Sequence, residues 1–253
     1  MKLIVAEAGP GIAAAEYIKD RINKFNPSEK NPFIIALPTG GTSLDMYKTL
    51  TSFCRDGALS FKHVVSFNLD EYIGLDISSA SSYHNFMKLN FFDHIDMPPQ
   101  NINIPNGNAK DIAAFCEEYE NKIKRLGGIE LFIGGLGVNG HIAFNEPGSA
   151  FDSRTRAVDL SAETLKSNSR FFGNDINAVP RQAVTMGIGT ILDAREIIIM
   201  ACGANKVRAV GKALKSEPDV MWPVTALQSH KNVLLFADKA AAGEISRYEN
   251  SLL

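Results

Sequence analysis

Phe33-Ile34-Ile35-Ala36-Leu37-Pro38-Thr39-Gly40-Gly41-Thr42-Ser43 decides the fold. Five apolar residues run up to Leu37 without alternation, the pattern of a strand buried on both faces. Proline and paired glycines then end the strand. Leu44 to Cys54 reads as a helix. Strand, glycine loop and helix in this order form one half of a parallel βαβ unit.

The same alternation extends in both directions. Leu3 to Ala6 reads as a strand, and Ile12 to Phe25 as a helix with Ile12, Ala15, Ile18 and Ile22 at helical spacing. Val64 to Leu69 is a strand. Ser81 to Phe91 and Ala109 to Leu126 are helices, the second with a stripe of Ile112, Phe115, Cys116, Tyr119 and Ile123. Ile129 to Ile133 is a strand running into glycines. Ser161 to Phe172 reads as a helix, Ala183 to Leu192 as mixed, Glu196 to Cys202 as a strand, Lys206 to Leu214 as a helix and Asn232 to Ala237 as a last strand. This predicts an α/β fold with a mostly parallel sheet. No linker or repeat divides the chain, so residues 1–253 are expected to form a single domain.

Bulk properties exclude several classes. The chain has 253 residues, 45% hydrophobic and 21% charged, with a net charge of -2. That is enough for a full core and carries no polybasic surface for nucleic acid. Cys54, Cys116 and Cys202 are odd in number and form no paired motif, so free buried thiols are expected rather than a disulfide framework or a zinc site. The apolar run at Leu3–Ala6 is too short for a signal-peptide core, and no stretch reaches the roughly 20 apolar residues of a membrane helix. A cytoplasmic protein with no nucleic-acid or membrane partner is expected by elimination.

Parallel sheets bind ligands beyond the carboxyl ends of their strands, and four strand ends carry chemistry here. In the first, Thr39, Gly40, Gly41 and Thr42 can bring backbone N–H groups and hydroxyls to an anion at a helix start; a tight turn with a Ser or Thr cap explains the same residues. The loop lacks the Gly-Lys-Ser/Thr ending of a nucleotide-binding P-loop. The second is Phe67-Asn68-Leu69-Asp70-Glu71-Tyr72. Adjacent side chains on an extended segment point to opposite sides, so at most one acid faces the cleft, where burial would make it a general base. The third is Gly134-Gly135-Leu136-Gly137-Val138-Asn139-Gly140-His141-Ile142-Ala143-Phe144-Asn145-Glu146-Pro147-Gly148. Its glycines match a dinucleotide fingerprint in spacing, but Pro147-Gly148 leaves no room for the helix that motif needs. His141 with Glu146 five residues on reads as an acid/base loop. The fourth, Cys202-Gly203-Ala204-Asn205-Lys206, sets a lysine at a helix start, where an anionic ligand would relieve its conflict with the helix dipole. Arg170, between Ser169 and Phe171, is a second cation candidate. With no metal triad and no nucleophile elbow, acid/base chemistry on a small phosphorylated molecule is the expected class.

Four of these segments, Leu37–Thr42, Phe67–Tyr72, Gly140–Gly148 and Asn168–Phe172, resemble the glucosamine-6-phosphate deaminase family, in the same order over nearly the whole chain. The resemblance implies a three-layer sandwich around a mostly parallel, Rossmann-like open sheet. It implies conversion of glucosamine 6-phosphate and water to fructose 6-phosphate and ammonia, with no cofactor and no metal. By position, His141 would open the sugar ring, Asp70 would move a proton between C2 and C1, and Glu146 would hold and tune His141. Gly41, Thr42, Arg170 and Lys206 would bind the phosphate.

Two departures stand out. Many members have Asp two residues before the histidine; here it is Asn139, whose oxygen can accept the imidazole N–H without a charge. This leads to the expectation that Glu146 alone stabilises the imidazolium and that His141 titrates lower. Some members are hexamers activated by N-acetylglucosamine 6-phosphate at a site where an arginine is followed two residues later by lysine. Here Arg156 is followed by Val158, and the C-terminus at Leu253 looks shorter, so weak or absent activation is expected and a homo-oligomer is left open. The rivals are a 6-phosphogluconolactonase-like hydrolase and a non-catalytic sugar-phosphate sensor. The sensor is expected to need a DNA-binding segment ahead of a first strand that here begins at about Lys2. The segment from Ala150 to Ser161 is a candidate for movement over the site.

Overall fold

The computed structural model describes residues 1–243, so the expectation attached to the end at Leu253 lies outside the described residues. Seven strands form the central sheet in the order β1 (Lys2–Val5), β10 (Val233–Ala237), β9 (Ile197–Ala201), β6 (Leu131–Gly135), β2 (Phe33–Leu37), β3 (Val64–Asn68) and β5 (Ile102–Asn103), and every neighbouring pair is parallel. β2 and β3, read from sequence as strands, are buried at every position.

Alternate residues along each strand feed two separate cores. On one face Phe33, Ile35, Leu131, Ile133 and Ile198 pack under α1 (Pro10–Phe25), α2 (Leu44–Arg55) and α3 (Tyr83–Asn90). On the other, Ile34, Phe67, Phe132, Ile197 and Leu235 pack under α4 (Ile112–Arg125), α6 (Ile188–Leu192), α7 (Val207–Lys215) and α8 (Lys239–Ala242). Each fully buried Ile, Leu or Phe contributes about 1.5–3 kcal/mol of burial free energy. The result is the expected three-layer α/β sandwich. No helix among the described residues is long and apolar enough to cross a membrane.

A second sheet lies outside the sequence reading. β4 (Asp70–Tyr72), β8 (Gln182–Thr185) and β7 (Arg156–Asp159) pair antiparallel in the order β4-β8-β7. Its strands are three or four residues long and rich in polar side chains, so they carry no buried-strand signature. This places Asp70 and Glu71 inside a strand, in line with the extended segment expected there. Of the segment 150–161, Arg156–Asp159 is a paired strand, and no residue lines the cleft described below. Buried Glu120 of α4 fastens this sheet. It accepts from the backbone N–H and hydroxyl of Thr155, from the hydroxyl of Thr190 and from Arg154. Burial alone would raise its pKa, but these donors outweigh it and hold the carboxyl below the usual range.

Several boundaries differ from expectation, two of them beside the cleft. β6 starts two residues later than predicted and continues through Gly134 and Gly135, where glycine suggested a stop; a side chain at Gly134 would meet the Phe132 ring at 2.9 Å. The helix expected over Ser161–Phe172 is α5 (Ala162–Asn168), capped by Ser161 and followed by a 3-10 turn over Ser169–Phe171. The thiols also differ: Cys116 is buried, but Cys54 is half-buried and Cys202 exposed.

Candidate active site

The four chemically marked strand ends belong to four adjacent strands, β9, β6, β2 and β3. From β2 the chain moves outward to β3, and from β6 it moves the other way to β9, so the strand order, though not the strand direction, reverses between β2 and β6. A crevice opens at such a point. It measures about 360 Å³, the scale of a small-molecule pocket. Thr39, Gly40, Gly41 and Thr42 line it just past β2, Asp70 past β3 in β4, His141 past β6 and Lys206 past β9. Arg170, from the turn after α5, closes it. Thus eight of the ten residues singled out from sequence line one cleft. The other two, Asn139 and Glu146, lie behind His141.

The loop after β6 is built around the imidazole. A Cβ at Gly137 would stand 2.4 Å from the His141 ring, so only glycine lets the ring sit there. Gly140 has φ +83, and a side chain on it would meet the Trp222 ring at 2.9 Å. No helix opens at Gly140, as the rejection of the dinucleotide motif required. Fully buried Asn145 staples the loop: its amide donates to Ile142 O and Met186 O, and its oxygen accepts from Arg156 at 2.9 Å.

Behind His141 runs a chain of hydrogen bonds. Nδ1 lies 2.7 Å from Asn139 Oδ1, which fixes the proton on Nδ1 and leaves Nε2 as the free base. Asn139 Nδ2 donates to Glu146 Oε2 at 2.9 Å, and Glu146 Oε1 accepts from the hydroxyls of Ser161 and Thr164. Glu146 itself is 3.7 Å from Nδ1. The negative charge that favours the imidazolium comes from Glu146 and Glu163, rather than from Glu146 alone. Asn139 makes the direct bond, and the Glu146 carboxylate acts across it. His141 is held below its usual pKa, first by burial, with the charge of Lys206 adding to the effect; Glu146 and Glu163 oppose it.

Asp70 faces this ring's cleft with 6% exposure. Its pKa is raised to about 8, by burial first and then by the neighbouring charge of Glu71, while a bond from Thr39 Oγ1 at 3.5 Å works the other way. Lys206 is pulled below the usual lysine range by burial and by the nearby Arg170 charge. Among the described residues no carboxylate forms an ion pair with Arg170 or Lys206. Two adjacent cations without such a partner, beside the Gly41–Thr42 turn, suit an anion. No group of three or more His, Cys, Asp or Glu among the described residues is placed to hold a metal.

Sequence reasoning missed part of the wall. Tyr72, Tyr83 and Phe144 form an aromatic side to the cleft, with Tyr83 stacked on Phe144 at 6.2 Å between centroids. Their residue types suggest core. Glu163, in the first turn of α5, also lines the cleft, and its sequence context is only that of an exposed helix start.

Comparison with known proteins places this fold in a family. Residues 11–236 match the family model for glucosamine-6-phosphate isomerases/6-phosphogluconolactonase. A glucosamine-6-phosphate deaminase of Pasteurella multocida is 52% identical over 232 residues, covering 92% of this chain and 87% of the relative. The solved structure of a monomeric glucosamine-6-phosphate deaminase superimposes with a TM-score of 0.90 at 38% identity, over 96% of this chain and 99% of that one. A 6-phosphogluconolactonase of Thermotoga maritima shares the fold, with a TM-score of 0.74 at 21% identity over 94% of this chain and 99% of that one. The chain belongs to the glucosamine-6-phosphate isomerase/6-phosphogluconolactonase family.

Proposed function

We propose that the chain converts glucosamine 6-phosphate and water to fructose 6-phosphate and ammonia in amino-sugar catabolism, as an aldose–ketose isomerase whose imine product is then hydrolysed. The observation that carries this reading is one cleft holding a buried carboxyl and a neutral imidazole beside two cations with no ion-paired acid among the described residues. Arg170, Lys206 and the Gly41–Thr42 turn hold the phosphate. Thr39 and Gly40 complete that end of the cleft.

The steps follow from the protonation states. His141 Nε2 takes the proton of the sugar's C1 hydroxyl and returns it to the ring oxygen, which opens the ring. A neutral imidazole is needed for this, and burial keeps it neutral. Asp70 then removes the C2 proton. The electron pair forms the C1–C2 double bond and pushes the carbonyl electrons onto O1, which takes a proton from the substrate's ammonium group to give an enolamine. Asp70 returns the proton to C1, and the nitrogen lone pair makes the C2 imine. Water adds to C2, and ammonia leaves with a proton. A carboxyl with its pKa raised to about 8 suits a group that must both take and give. The bound amine's positive charge lowers that pKa when substrate enters and favours the ionised base. The three free thiols support a reducing cytoplasm as the setting.

Asn139→Asp is expected to strengthen the negative field behind His141. The imidazolium gains stability, so the pH limb belonging to His141 moves upward, by about one unit. A pH–rate profile of ammonia release checks this; an unmoved limb would mean that position 139 does not tune the histidine. The function itself is tested by offering glucosamine 6-phosphate and 6-phosphogluconolactone to the purified chain. Ammonia from the first with no acceleration of lactone opening supports the deaminase. The reverse outcome would make the chain a lactonase, and binding without turnover a sensor.

A further inference from the structure

Asp70 and Glu71 leave β4 on opposite sides. Asp70 lines the cleft, whereas Glu71 turns away from it, is 1% exposed, and ends against the start of α3. Four N–H donors converge on its carboxylate: the backbone groups of Tyr72 at 2.9 Å, Tyr83 at 3.1 Å and His84 at 3.0 Å, and His84 Nδ1 at 2.9 Å. Ser82 caps the same helix, accepting from Asn85 N. An acid at a helix start also meets the positive end of the helix dipole. The steps proposed above do not use Glu71, although it is among the most buried charged side chains described.

We propose that Glu71 is a positioning residue for Asp70: it locks β4 to the start of α3 and holds a second carboxylate behind the cleft-facing one, so that Asp70 is both aimed and tuned from behind. The inference rests on the deaminase reading only for its kinetic readout. The physical basis is like-charge repulsion between adjacent carboxylates in a buried setting. Glu71's charge is the cause, second to burial, of Asp70's raised pKa. The helix it anchors also carries Tyr83 into the cleft wall beside Tyr72 and Phe144.

The surroundings leave few other groups to do this. β8 opposes Glu71 with Val184, which does not titrate. The titratable neighbours on β4 and α3 are Asp70, Tyr72, Tyr83 and His84. His84 is half-buried and opens onto a groove that Glu118, Tyr119 and Lys122 of α4 line. Its imidazole offsets part of the Glu71 charge from the side away from the cleft.

Glu71→Gln keeps the shape and removes the charge. In the pH profile of kcat/KM for ammonia release, the limb belonging to Asp70 is expected to move to lower pH by about one unit. His84→Phe removes one of the four donors and leaves the charge less compensated. It is expected to move the same limb upward by a smaller amount. A folded Glu71→Gln protein whose limb stays in place overturns the proposal. If that variant does not fold, His84→Phe decides: an unmoved limb overturns it, an upward shift supports it. If the wild type releases no ammonia, the deaminase reading fails separately. The Asp70 carboxyl-carbon resonance, followed against pH in wild type and variants, then takes the place of the kinetic limb: the same shifts support the role of Glu71, and unmoved resonances overturn it.

Discussion

Asp70→Asn is expected to lower kcat for ammonia release about 10³-fold while KM changes by less than about threefold. Asn has nearly the same shape, and only one oxygen of Asp70 meets Thr39, at the 3.5 Å limit of a hydrogen bond. The phosphate end of the cleft is untouched. What disappears is the only cleft-lining carboxyl, among the described residues, that is both buried and shifted into the range where it exchanges protons near neutrality. The wild-type kcat/KM should rise with pH through the ionisation of Asp70 in the free enzyme, near 8. The direction follows from the sign of the shift: the base must be ionised, and its raised pKa moves that requirement upward. Steady-state kinetics with a coupled ammonia assay measure both quantities. A tenfold or smaller loss in kcat would assign the C2 proton to another group.

His141→Gln is expected to cost less, about 10²-fold in kcat/KM. The amide cannot exchange a proton at neutral pH. Yet the cyclic sugar opens in water without help, so the variant can still draw on the open-chain fraction. Binding separates this from a distorted site. An acyclic amino-alditol phosphate needs no ring opening and should bind the variant within about twofold of wild type by calorimetry. Weakened binding of that analogue would show that His141 shapes the cleft rather than opening the ring. The packing makes the control informative, because the ring fills the space that Gly137 leaves and the loop is held separately by Asn145 and Trp222.

Much of this site is legible in the sequence. Uninterrupted apolar runs such as Phe33–Leu37 and Ile197–Ala201 mark strands buried on both faces, and glycines at their ends mark where backbone meets ligand. Those strand ends are neighbours in the sheet. What sequence does not show has physical causes. β4, β7 and β8 are short, and their polar residues answer to pairing across strands far apart in the chain, so no local period announces them. Tyr72 and Tyr83 look apolar from sequence, but they line the cleft once β4 and α3 meet. Glu71 reads from sequence only as one of two acids on opposite sides of a segment. Three of its four donors come from the turn 12 and 13 residues on, which no spacing rule predicts. The role of Asn139 is half legible. Its oxygen accepts the imidazole N–H as expected, but its amide also reaches Glu146, which sets the carboxylate one step further from the ring.

A cleft that moves a proton from C2 to C1 turns an amino sugar into a ketose and releases its nitrogen in the same turnover. The initial rates of both products from glucosamine 6-phosphate, measured with the purified wild-type chain, test this most directly. Fructose 6-phosphate and ammonia should form at equal rates and be lost together in Asp70→Asn. Ammonia without the ketose, or neither product from a folded wild-type protein, would contradict this chemistry.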